Sequence, residues 1–161
     1  MTPERETVRG QLERWTGEES QLLAELETLL QAEQFTLRQD DIESLERIGR
    51  SRQRCVQQLS RLDLERAEVC RRLSLGVSRT GLARLFAWSD PSGTLERRWL
   101  ANLELARRCR DINDGNGAIV TARLAHVRQL LGGLRGTAAP PVYSARGMRY
   151  GTLTPRVLGS A

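Results

Sequence analysis

Asp111 and Asp114 are the carboxylates best spaced for acid–base work, since a separation of three places both on one face of a helix. A catalytic pair also needs a pocket, which a slender helical bundle rarely makes, so a solvated helix face or pairing with arginine is the simpler account. His126 is the one histidine of the chain and has no Cys or carboxylate at ligand spacing, which leaves a metal site without its partners. Cys55, Cys70 and Cys109 are odd in number and lack CxxC spacing, and each lies on or beside an apolar stripe. That is the pattern of reduced core thiols. No GxxxxGK(S/T) or GxGxxG motif opens a helix after a strand, and no nucleophile stands with a base. No enzymatic activity, no cofactor and no metal are expected.

The elements that carry these residues read as long helices. Aromatic residues make up 4% of the chain and leucine is abundant, which suits helices better than a sheet. At 161 residues one domain is expected. From Pro3 to Glu33, Leu12, Trp15, Leu22, Leu26 and Leu29 step along one face, with Leu23 and Leu30 widening it. Gln34 to Gln39 should connect this to a second helix starting near Asp40, where the carboxylates of Asp40 and Asp41 suit a helix N-terminus. Its stripe runs Ile42, Leu45, Ile48, Arg52, Cys55, Val56, Leu59, Leu62, Val69 and Leu73, with Glu43–Arg47, Glu46–Arg50 and Glu68–Arg72 as i,i+4 pairs. The first helix is acidic, and Arg47 to Arg84 holds ten arginines against three acids. A short connection makes the two antiparallel neighbours whose opposite charges choose each other.

Gly76 to Gly81 should end the second helix and cap a brief third, Leu82 to Trp88, before Ser89-Asp-Pro-Ser-Gly93 turns again. Thr94 can cap the last long helix, in which Trp99, Leu103 and Ala106 lead into Ile112, Asn116, Val120, Leu124, Val127, Leu131 and Leu134. That stripe passes through Asp114-Gly115-Asn116-Gly117, which read locally is a turn. Pattern alone leaves both readings open: an unbroken helix with a notch at Asn113, Asn116 and the glycines, or a reversal. The fold class is therefore all-α, an antiparallel helical hairpin with a long third helix forming an elongated three-helix bundle over 1–136. A short insertion helix and a disordered C-terminal tail over 137–161 complete it. The tail cannot bury enough apolar surface to order alone, although Val142, Tyr143, Met148, Tyr150, Leu153, Val157 and Leu158 are scattered anchors; a frayed end is the plainer alternative.

No run of about 18 apolar residues is present and the N-terminus lacks a basic-then-apolar signal, so no membrane insertion and a cytoplasmic location are expected. The net charge of +5 raises the question of nucleic acid. All 25 basic residues are arginine; the three in the tail from Gly136 carry +3 and leave the body at +2.

The run Asn113-Asp-Gly-Asn116-Gly117-Ala-Ile-Val120, followed by Leu124 and Leu131, then Gly136, a Pro-containing spacer and Tyr143 to Gly147, resembles the FlgN family. Leu22-Leu23-Ala-Glu-Leu26 and the leucine ladder from Leu45 to Leu62 are similar as well, so the likeness covers almost the whole chain. Ser144 departs from it, because the family more often has Gly after that Tyr, and fourteen residues follow Gly147. The resemblance implies a helical hairpin plus a long third helix, and a cytosolic chaperone of flagellar export. Such a chaperone binds the C-terminal helical segments of hook-filament junction proteins, prevents premature assembly, and delivers them to the export gate and ATPase complex.

Carried onto matching positions, the resemblance points to Asn113, Asn116, Gly117, Ile119, Val120, Leu124, Val127 and Leu131, and to Tyr143 and Gly147. Ile112 and Leu134, on the same stripe, join this partner-binding set, for the helix has more apolar positions than one seam needs. The alternative for each of them is the chain's own core. Homo-oligomers are possible, since exposed stripes self-associate. The competing class is an Arg-rich coiled-coil regulatory or nucleic-acid-binding protein. Interleaved acids, the small body charge and the want of a helix-turn-helix or stacking motif argue against it.

Overall fold

Pro3 sits in the opening turn of a helix, α1, that runs to Leu37. It passes four residues beyond Glu33, because Gln34-Phe-Thr-Leu contains no breaker and Leu37 is buried. The computed structural model describes residues 2–135. After α1 (Pro3–Leu37) come α2 (Ile42–Arg72), α3 (Arg79–Ser89) and α4 (Thr94–Arg135). The reach from Gly136 onward, including Tyr143, Gly147 and the expected tail, lies outside the described residues.

Local chemistry sets each boundary. Asp41 caps α2 by accepting the Ser44 N–H at 3.1 Å, while Asp40 takes the left-handed turn position (φ 58°). The end of α2 differs from the expectation at Gly76. Ser74 (φ 55°) adopts the left-handed conformation, its N–H reaching Arg71 O at 3.0 Å and that of Leu75 reaching Cys70 O at 2.9 Å. These two bonds close the helix two residues earlier than a stop at Gly76 would. Ser78 caps α3 through the Gly81 N–H. At Gly81 only a glycine fits, since a Cβ would press on the carbonyl oxygen of Gly76 and lie 2.5 Å from that of Leu75. Asp90, rather than Thr94, caps α4: its carboxylate accepts Leu95 N–H at 3.0 Å and the Ser92 hydroxyl at 2.7 Å. Thr94 is already the first helical residue.

α1 is the centre of the molecule. α2 packs along it antiparallel, as Glu19 meets Arg66 and Glu33 meets Arg52, and α4 packs along it parallel, as Thr16 meets Asn102 and Leu30 meets Asn116. Val8, Leu12, Leu23, Leu26 and Leu30 of α1 are essentially inaccessible, against Leu59 and Leu62 of α2 and Trp99, Ala106 and Cys109 of α4. α3 closes the lower end, where Phe86 stacks on Trp99 with ring centroids 5.1 Å apart. The acidic-against-basic arrangement of the first two long helices holds, with Glu18–Arg61, Glu19–Arg66 and Glu33–Arg52 crossing between them. Within α2, Glu68 pairs with Arg71, and Arg47 turns to the Ser44 hydroxyl.

Candidate partner-binding surface

Two polar layers cross all three long helices. In one, the Asn102 amide donates to Thr16 O (3.0 Å) and Glu19 Oε2 (2.9 Å), and Glu19 accepts from Arg66 (2.6 Å). In the other, the Asn116 amide donates to Leu30 O and Glu33 Oε2, both at 2.9 Å; Arg52 lies 3.7 Å from Glu33 and donates to Asn113 Oδ1 at 3.1 Å. Every matching residue differs by fourteen positions, which is two heptads. Midway between the layers the contacts are apolar, with Leu26, Leu59 and Cys109 all buried and Cys109 Sγ donating to Leu23 O at 3.6 Å.

Burial and ion pairing compete in the lower layer. It works against the charged form of Arg66, but Glu19 and Asp63 outweigh it and hold the guanidinium protonated. Asp63 accepts from Arg66 at 2.6 Å, yet burial still pushes its carboxyl up to about 6, with Arg66 opposing and Glu19 reinforcing the rise. Burial also raises the thiols, Cys55 to about 11 and Cys109 to about 12, so neither is a reactive thiolate near neutral pH.

The residues expected to bind a partner fall into two groups. α4 runs unbroken through Asp114–Gly117, so the turn reading is set aside. Asn113 and Asn116 are buried, Asn116 at 0% exposure, and their side chains are engaged by α1 and α2. Ile112 packs on the core, while Gly117, Ile119 and Val120 are half-buried. The glycines make no tight notch at Gly115, where a Cβ would meet only Gln34 Nε2 at 3.9 Å, an ordinary contact. Leu124, Val127, Leu131 and Leu134 are exposed, from 43% to 82%.

This second group lies where α4 outruns its partner. Position 123 is level with Leu37 in the α1–α4 register, and there Arg123 pairs with Asp40 at 2.7 Å. Leu124 to Arg135 then project past the end of α1 for about 18 Å at 1.5 Å per residue. Leu130, at 55% exposure, belongs to the same row. Phe35 and Ile42 are also exposed, at the top of α1 and the start of α2, although Ile42 heads the apolar stripe of α2.

The chemical candidates are ordinary by comparison. Asp111 is exposed and pairs with Arg107 at 3.0 Å, Asp114 is exposed, and His126 is exposed on the projecting part of α4. Among the described residues no group of His, Cys, Asp and Glu could hold a metal ion, and no helix is long and apolar enough to cross a membrane.

A family model described as FlgN protein matches residues 10–151. No curated protein and no solved structure matches the chain.

Proposed function

Because the chain belongs to the FlgN family, and so to the flagellar export chaperones, we propose that it uses the projecting end of α4 to hold the C-terminal helical segments of hook-filament junction proteins in the cytosol. The observation that carries this reading is a row of large apolar side chains, Leu124, Val127, Leu130, Leu131 and Leu134, on a helix that has outrun its own core. A partner helix laid along that row takes the place that α1 holds lower down. Free junction-protein termini are apolar helices that would pair with one another. Covering them prevents premature assembly and keeps them fit for delivery to the export gate and ATPase complex.

Magnitudes limit what the row does alone. Each of these side chains is already partly covered, so full burial contributes on the order of 1 kcal/mol apiece. Five of them roughly offset the low end of the association entropy, which is about 4–15 kcal/mol. Further contacts are therefore part of the proposal: Ile119 and Val120 at the shoulder of the bundle, and the region of Tyr143 and Gly147. Burying apolar area on binding gives a negative heat-capacity change.

The test is a pull-down with a junction protein. Leu124→Asp with Leu131→Asp abolishes capture while circular dichroism stays helical; retained capture overturns the proposal. The nucleic-acid alternative loses support because Arg52, Arg61, Arg66 and Arg71, four of the ten arginines from Arg47 to Arg84, face the chain's own carboxylates. A gel shift across salt checks it, since nucleic-acid binding weakens steeply with salt and apolar helix capture does not.

A further inference from the structure

We infer that the projecting end of α4 selects its guest by charge, taking an amphipathic helix whose apolar seam is bordered by carboxylates on the side facing Arg128. This inference rests on the docking role just proposed and adds a specificity that the role does not require.

Three observations carry it. First, the seam is continuous. Leu95, Trp99, Asn102, Ala106, Cys109, Asn113 and Asn116 follow steps of four and three against α1, and Val120, Arg123, Val127, Leu130 and Leu134 prolong the same steps, apolar at all but Arg123. A helix fits there as α1 fits below.

Second, the charge along the projecting part has one sign. From Gly115 to Arg135 α4 holds Arg123, Arg128 and Arg135 and no acid, whereas Thr94 to Asp114 holds Glu96, Glu104, Asp111 and Asp114. Arg123 is occupied by Asp40. Arg128 is exposed and makes no ion pair among the described residues. On a helical wheel it borders the row at Leu124 and Leu131, four residues and three residues away, the place from which flanking charges choose a partner helix.

Third, the other available occupants carry the wrong charge. A second copy would set this all-basic segment against its twin. Residues 136–161 carry three arginines and no acid. Like charges across such a seam are unfavourable, so the guest that satisfies both row and border is an acidic amphipathic helix.

The experiment uses the full chain and two synthetic amphipathic peptides of about three heptads, identical in their leucine seam, one bordered by Glu and the other by Lys. Fluorescence anisotropy should show the Glu peptide bound roughly five- to tenfold more tightly at low salt. That preference should shrink severalfold in Arg128→Glu and fade as salt is raised. Leu124→Asp with Leu131→Asp should lose both peptides. Equal binding of the two peptides overturns the charge selection and leaves the docking role standing. Failure of both peptides to bind, or binding that the Leu124 and Leu131 changes leave intact, overturns the two together. Sedimentation with phosphatidylserine vesicles is the third arm, and capture of vesicles without capture of either peptide replaces the guest helix with an anionic membrane surface.

Discussion

The two halves of α4 invert the usual expectation. Up to Gly117 the helix buries Asn102, Asn113 and Asn116; beyond it, Leu130, Leu131 and Leu134 face outward. Apolarity did not decide which half went inside. The length of α1 did, because a side chain is covered only where a neighbouring helix runs beside it, and α1 ends level with Arg123. The lower half therefore uses its polar groups for register, and the upper half leaves its apolar surface uncovered by the described residues.

Breaking the lower half gives the largest effect. Arg66→Leu leaves buried Glu19 and half-buried Asp63 without their cation, and should lower stability by about 3–5 kcal/mol in urea denaturation at neutral pH. Arg128→Glu on the upper half should stay within about 0.5 kcal/mol in the same assay. Equal losses would erase the distinction between the halves.

A pH series sharpens the same point with a smaller effect. The Asp63 carboxyl is held up to about 6 in the folded chain, above its unfolded value, so the folded state keeps a proton that the unfolded state has already released. Stability should fall as pH rises from about 4 through about 6, by up to about 3 kcal/mol. In Asp63→Asn that slope should flatten, as read from urea midpoints; an unchanged slope would assign it to another group.

The smallest effect belongs to the upper half. Gly132 and Gly133 have nothing within 4 Å of a would-be Cβ. Replacing both by Ala should strengthen the local helix by up to about 1 kcal/mol each. Amide exchange from Leu124 to Arg135 should slow while the global transition stays put. A raised global transition would show that the projecting end folds as one with the bundle.

Much of this was legible beforehand. Leucine periodicity predicts the helices, and the acidic-then-basic pairing of the first two is what the ion pairs display. The polar layers were half visible: Arg52 and Asn116 stand on otherwise apolar stripes, and Glu19/Glu33, Arg52/Arg66 and Asn102/Asn116 share one spacing. Taken singly each looks like a surface residue or a flaw in the stripe. Only when three helices are laid in register do the spacings coincide. Asn113 and Asn116 illustrate the difficulty, since family likeness groups them with Leu124 and Leu131, while packing places them on the inside.

Composition and periodicity by themselves determined that this chain is helical, which faces of its helices are apolar, and which two helices attract, because those properties reside in single segments and their charges. Whether α4 would run through Asn-Gly, and where its stripe would leave the core, only the assembled bundle decided. Both depend on what lies alongside: the hydrogen bonds from Asn116 to Leu30 and Glu33 hold the helix against α1 at its weakest residues, and the end of α1 exposes everything beyond.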